Sequence, residues 1–305
     1  MNTSKYYVEE LDKLDVINRW SFGESPLLTS SGYFKFDCDH LEGYLENPSI
    51  ANTLSRSTKF YIFGVYSQVC ESLELLIKND LHYKINMLDI NIYDFDCKDI
   101  KWNLLSKFIN LRLLNIDGSG SHYVNRILEG IQIAIPRKTE ALCINYHWFN
   151  EPITLANSNI KVLKLNTAKF NQSLDNLPQM LETIIIKSGE FNQKVDNLPI
   201  NLKNLVLLCP KMQEPMDYLP HGLEYFAGLH FNCFIYPDSL YQHNFHNLPK
   251  TIKYIMLDSH QYEKHRLDIE QNIVGCKISK YTNYNDYKPI INYLINIYNS
   301  EIVSQ

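Results

Sequence analysis

FNQSLDNLPQMLETIIIKSGE, residues 170–190, is followed at once by FNQKVDNLPINLKNLVLLCPK, residues 191–211. The two 21-residue segments share an opening Phe-Asn-Gln, a central Asp-Asn-Leu-Pro and a closing run of alternating apolar residues. Phe149-Asn150-Glu151 opens the same phrase one period earlier, and Asp217-Tyr218-Leu219-Pro220 echoes its centre one period later. A fixed period of this size predicts a solenoid, in which each unit is too small to close a core alone and buries its apolar face against its neighbours.

Within each unit the apolar residues fall at L-x-x-L-x-L. Leu181, Ile184 and Ile186 form one set, and Leu202, Leu205 and Leu207 the next. Ile160, Leu163 and Leu165 precede them, and Thr139, Leu142 and Ile144 come earlier still, after Ile135-Pro136. Leu223, Phe226 and Gly228 follow; after an insertion, Leu248-Pro249, Ile252, Ile255 and Leu257 repeat the pattern. The L-x-L step alternates, so it predicts a short strand with one face inward, and stacking the units predicts one parallel sheet. Leu-Pro and Asp-Asn are turn chemistry, and a proline without an N–H suits the return arm rather than the strand.

These units resemble leucine-rich repeats with short periods, and more specifically the FNIP repeat, a family abundant in social amoebae and mimivirus-like giant viruses. Phe149-Asn150, Phe170-Asn171 and Phe191-Asn192 carry the resemblance, together with Leu177-Pro178 and Leu198-Pro199. Met212-Gln213 departs from it, and Phe231-Asn232 stands two residues out of phase. The match covers roughly residues 135–257. It implies an α/β, leucine-rich-repeat-like solenoid, but a fold of this kind does not by itself imply a function.

Upstream the same strand pattern recurs at Ile85, Leu88 and Ile90 and at Leu111, Leu114 and Ile116, more widely spaced. The extra residues predict helices: Ile100, Leu104, Leu105 and Phe108 share one face, as do Val124, Ile127, Leu128 and Ile131. Thr58 to Phe63 predicts an earlier strand, followed by a helix through Val69, Leu73, Leu76 and Ile77. Four regions result: residues 1–50 as a cap or small adaptor, 51–134 as longer repeats with helices, 135–260 as short regular repeats, and 261–305 as a cap with a terminal helix over 285–303. An N-terminal helix is expected around Tyr7, Leu11 and Leu14. Many FNIP-repeat proteins carry an F-box adaptor, but its opening Leu-Pro pattern is missing from residues 1–50.

The 305 residues carry a net charge of −5 and no basic stripe, so the electrostatic footprint of nucleic-acid binding is lacking. There is no apolar run of membrane-spanning length and no apolar stretch near Met1, which argues against a membrane span and a secretory signal. Seven scattered cysteines do not form a disulfide framework and fit reduced thiols in a cytoplasmic setting, the host cytoplasm if the chain is viral.

Neither Cys38-Asp39-His40 nor His243-Asn244-Phe245-His246 has companion ligands at metal-site spacing, so both read as ordinary loop residues and no metal or cofactor is expected. Cys97-Lys98-Asp99 is similar to the Cys-x-Asp of bacterial leucine-rich-repeat ubiquitin ligases but lies before the repeats, and no ligase-like helical domain follows them. No Gly-rich phosphate loop, His-Glu-x-x-His or Gly-x-Ser-x-Gly occurs. An enzyme is therefore not expected.

The columns of the repeat are more informative. The residue after the first L reads Glu140, Lys161, Glu182, Lys203, Glu224, Lys253 down the stack, an alternation that predicts a stabilising charge ladder. The column between the second and third L, expected on the concave face, reads Cys143, Lys164, Ile185, Val206, Ala227, Met256. The column just before the second L reads Ala141, Val162, Thr183, Asn204, Tyr225, Tyr254. Together they predict an exposed apolar surface of the kind that marks an interaction site. The function expected is a non-catalytic scaffold gripping a protein or peptide, with Ile185, Val206, Tyr225, Tyr254 and Met256 as apolar contacts and Lys164 as a polar one. The alternative is a substrate receptor of a ubiquitin ligase with residues 1–50 as adaptor. Asn150, Asn171 and Asn192 are expected to be structural, their amides satisfying backbone groups of the return arms.

Overall fold

The computed structural model describes residues 27–28, 33–94, 101–118, 134–228, 241 and 243–281. Its twelve strands form one sheet whose order follows the sequence. They are β1 (Leu27–Leu28), β2 (Tyr33–Asp37), β3 (Lys59–Val65), β4 (Met87–Asp94), β5 (Leu113–Gly118), β6 (Ala141–Tyr146), β7 (Val162–Asn166), β8 (Thr183–Lys187), β9 (Asn204–Leu208), β10 (Tyr225–Gly228), β11 (Tyr254–Asp258) and β12 (Lys277–Tyr281). β1 pairs antiparallel with β2, and every later pairing is parallel. The chain is thus an α/β, leucine-rich-repeat-like solenoid.

The register follows the repeat. Leu142, Leu163, Ile184, Leu205, Phe226 and Ile255 stand opposite one another from β6 to β11. These residues face a single continuous core, closed on its far side by the return arms and helices. Each short unit turns at its proline: the N–H groups of Leu181, Leu202, Leu223 and Ile252 donate to the carbonyls of Pro178, Pro199, Pro220 and Pro249. The repeat's opening phenylalanines stack, with Phe149 and Phe170 centroids 5.7 Å apart and Phe170 and Phe191 5.9 Å apart. Met212 takes the same position in the next unit and is fully buried, so the departure from Phe-Asn leaves the packing column intact. Gly228 replaces an apolar residue because the Phe226 ring already fills its place, lying 2.8 Å from where a Cβ would sit.

The helices have local causes. Asn47 caps α2 (Pro48–Arg56), its Oδ1 accepting from Ser49 N–H at 3.1 Å, and the short α1 (Leu41–Glu46) precedes it. α3 (Tyr66–Lys78) carries Val69, Leu73 and Leu76 into the core, as its spacing predicts. The expected helix around Leu104 is instead a 3-10 helix, Trp102–Lys107, that buries Leu105 and leaves Phe108 in the core just beyond its end. α4 (Ser259–Asn272), not foreseen in the sequence, begins where Asp258 Oδ1 accepts from His260 and Gln261 N–H. Its buried face is Gln261, His265 and Ile269, too polar to register as an amphipathic helix. The expected helices around Tyr7, Val124 and residues 285–303, and Phe231-Asn232, lie outside the described residues.

Candidate functional site

Opposite the main core, the sheet presents a second face, here called the front face. No described helix residue belongs to either of its apolar clusters. Strand alternation puts three rows of side chains there. The first row runs Met87, Leu113, Ala141, Val162, Thr183, Asn204, Tyr225 and Tyr254. The middle row runs Tyr61, Asp89, Asn115, Cys143, Lys164, Ile185, Val206, Ala227, Met256 and Ser279. Both columns read from the sequence therefore stand in register on this face.

Their exposure needs correction. Ile185 and Val206 are each 1% exposed, and Leu208, Ala227 and Met256 are buried with them in one cluster against Tyr225 and Tyr254. Val206 sits between Ile185 and Ala227 across the strands and between Asn204 and Leu208 along its own, inside that buried cluster. Ile185, Val206 and Met256 are thus not the solvent-facing contacts expected; Lys164, Tyr225 and Tyr254 are half-buried. The Tyr225 and Tyr254 rings stack at 5.2 Å, and Tyr254 Oη hydrogen-bonds Ser279 Oγ at 2.6 Å. Burial raises the Tyr225 phenol, whose buried hydroxyl has no hydrogen-bond partner among the described residues.

Beside the buried apolar first row of Met87, Leu113 and Ala141, the same face carries a half-buried polar group on β4 to β6: Asp89, Asn91, Asn115, Asp117 and Asn145. Asn115 Nδ2 donates to Asp89 Oδ1 at 2.8 Å, and Asn145 Nδ2 donates to Asn115 Oδ1 at 2.9 Å. Burial raises the Tyr61 phenol, and Asp117 lies in register between Asn91 and Asn145. Burial pushes the Asp89 carboxyl up to about 7; the Asn115 bond opposes that shift, Asp117 adds to it and Lys164 opposes it. Burial likewise raises Asp117. Lys187, beside Leu208 on the same face, is lowered by burial and by Lys164. The sequence reading missed Asp89, Asn91, Asn115, Asp117 and Asn145 because its columns started at β6. Extending Leu88-Asp89-Ile90 and Leu114-Asn115-Ile116 into the same column would have found Asp89 and Asn115.

The other candidates resolve simply. Cys143 lies on the front face, where burial raises its thiol and so suppresses the thiolate a nucleophile needs. His246 Nδ1 meets Asp268 Oδ1 at 2.7 Å, and Cys38 is buried. Cys97 lies outside the described residues. Among the described residues no group of three or more His, Cys, Asp or Glu side chains is placed to hold a metal ion, and no helix is long and apolar enough to cross a membrane.

No protein-family model matches the sequence, and no curated protein matches it. Among solved structures, the chain is similar to the crystal structure of CroV588, described as a novel circular LRR protein, at 18% identity and a TM-score of 0.31. The likeness covers 65% of this chain and 38% of that one, so the chain spans well under half of that protein's length. The leucine-rich-repeat-like assignment rests on the register and packing described above.

Proposed function

We propose that the chain is a non-catalytic interaction scaffold of FNIP type, working in a cytoplasm, whose front face takes a protein or peptide. One observation carries this reading: parallel pairing from β2 to β12 aligns side chains of many units on a single face that no described helix packs against. Solenoids use such extended faces to engage partners. Lys164, Tyr225 and Tyr254 offer accessible contact, while Ile185, Val206 and Met256 form the floor that holds them in place. No observation favours the ligase-receptor alternative: within residues 1–50, β2 joins the sheet and α1 packs on its core.

The test is purification of the full chain from its native cells, wild type against Asn204→Arg on the front face and Ile200→Arg on an exposed turn. A direct partner lost only with Asn204→Arg is the expected result. Partners equally retained by both variants would place binding elsewhere and overturn the reading.

A further inference from the structure

The last described unit of the solenoid is held differently from the others. Between Ser259 and Tyr281 the apolar residues buried in the main core are Ile269 and Ile273, with Tyr262, Cys276 and Ile278 packed against it in part. α3, almost as long as α4, by itself buries Tyr66, Val69, Cys70, Leu73 and Leu76. α4 instead buries Gln261 and His265, which are 0% and 5% exposed. Neither end of the Gln261 amide nor His265 Nε2 has a hydrogen-bond partner among the described residues, and Asp258 Oδ2 at the helix N-cap is also buried and unbonded. Each such group loses its hydration on burial without a bond in exchange, which opposes the gain from Ile269 and Ile273. Much of what ties α4 to the preceding arm is polar: Lys264 Nζ donates to the Tyr241 carbonyl at 2.8 Å, and His246 Nδ1 meets Asp268 Oδ1 at 2.7 Å.

We propose that α4 and β12 form a strap that opens as one unit, residues 259–281, while β2 to β10 stay folded. Opening returns Gln261, His265 and Asp258 to water, so the open strap regains hydration that the closed one gives up. The topology allows a clean break: among the described strands β12 pairs with β11 alone, so its release disturbs no other ladder. Local opening is drawn from elements with few buried apolar contacts, and this unit has fewer than α3. Once open, β11 becomes the edge of the sheet, and the backbone groups between Tyr254 and Asp258 that β12 had paired are uncovered. An unpaired edge is a template for an incoming strand. The strap therefore guards the C-terminal edge of the sheet.

Native-state hydrogen exchange of the full chain at pH 7, read by mass spectrometry in rising but sub-denaturing urea, tests this. Peptides from 259–281 should take up deuterium together and well before those from β6 to β9. Gln261→Met keeps the length of the side chain and removes the amide. It should slow exchange across 259–281 about tenfold, one such step being about 1.4 kcal/mol, and leave β6 to β9 unchanged. Ile269→Ala should speed exchange in 259–281 alone. Exchange of α4 in step with β6 to β9 would overturn the proposal, because the unit would then open only with the whole chain. Unchanged or faster exchange of 259–281 in Gln261→Met would overturn it as well, and so would an Ile269→Ala effect spread equally over β6 to β9.

Discussion

Asn171 Oδ1 lies 2.9 Å from the backbone nitrogen of Asn192 and accepts its N–H, one repeat along the chain. The same bond joins Asn150 Oδ1 to Asn171 N–H at 2.8 Å and Asn192 Oδ1 to Gln213 N–H at 2.7 Å. Gln193 Nε2 adds a second donor to Asn171 Oδ1 at 3.0 Å. The column therefore acts through its acceptors, which satisfy return-arm N–H groups that the parallel sheet cannot reach. Asn171→Ala should cost about 1–3 kcal/mol in urea unfolding because it strands a half-buried N–H. Asn171→Asp keeps an oxygen in place and should lose much less. Equal losses would show that the amide nitrogen, not the oxygen, is what matters.

The charge ladder is real but uneven. Glu140 bridges Arg112 Nη2 and Lys161 Nζ, each at 2.9 Å, and its side chain is only 19% exposed. Glu224 meets Lys253 at 2.6 Å, but its side chain is 44% exposed. Glu140→Gln should therefore cost roughly 1–2 kcal/mol, between the exposed and buried ranges, and Glu224→Gln at most about 0.5 kcal/mol. Urea unfolding at low and at high salt checks this. The Glu140 effect should persist in salt, because partly buried charges are screened less. A larger loss at Glu224 would reverse the argument.

Burial on both faces makes Leu205 and Val206 sensitive in different ways. Leu205 is fully buried in the main core, and Leu205→Ala should cost about 2–5 kcal/mol. Val206 points the other way yet is almost as enclosed. Val206→Asp places a carboxylate where no cation pairs with it, and it should unfold the chain or lower its thermal midpoint by many degrees. A folded, wild-type-like Val206→Asp would mean that the apolar half of the face opens freely to water.

Much of this was legible because the repeat fixes two things at once. The L-x-L step settles which residues are core, and stacking settles which stand side by side, so Glu140 beside Lys161 and Asn150 beneath Asn171 follow from spacing alone. Exposure does not follow from spacing. Val206 alternates outward like any surface strand residue, and only the folded sheet shows it enclosed with Ile185, Leu208, Ala227 and Met256. The helix over Ser259–Asn272 was hidden for a related reason: Gln261 and His265 occupy its buried positions, so its apolar period is missing. Asp89 and Asp117 were overlooked because the wider spacing of the early units hides their alignment with Cys143 and Asn145.

The raised carboxyl of Asp89 sets a direction for pH dependence. An unfolded aspartate titrates near 4, whereas the folded carboxyl is pushed up to about 7, first by burial. Between these values the folded chain keeps a proton that the unfolded chain has released, so stability falls as pH rises. The contribution is fully present below about 4 and is lost as pH passes through about 7. The groups facing Asp89 are Tyr61 on β3, Asn115 and Asp117 on β5, Cys143 on β6 and Lys164 on β7. Asp117 shifts the same way, so some slope survives without Asp89. Asp89→Asn still accepts the Asn115 bond and carries no charge. At pH 8 it should be more stable than wild type by on the order of 1–2 kcal/mol, allowing for a residue that is only partly enclosed. At pH 5 the gap should shrink toward zero. Urea midpoints for both proteins at the two pH values decide it: parallel pH slopes would mean that Asp89 is ionised at no cost in the folded chain, and a variant less stable at pH 8 would reverse the sign.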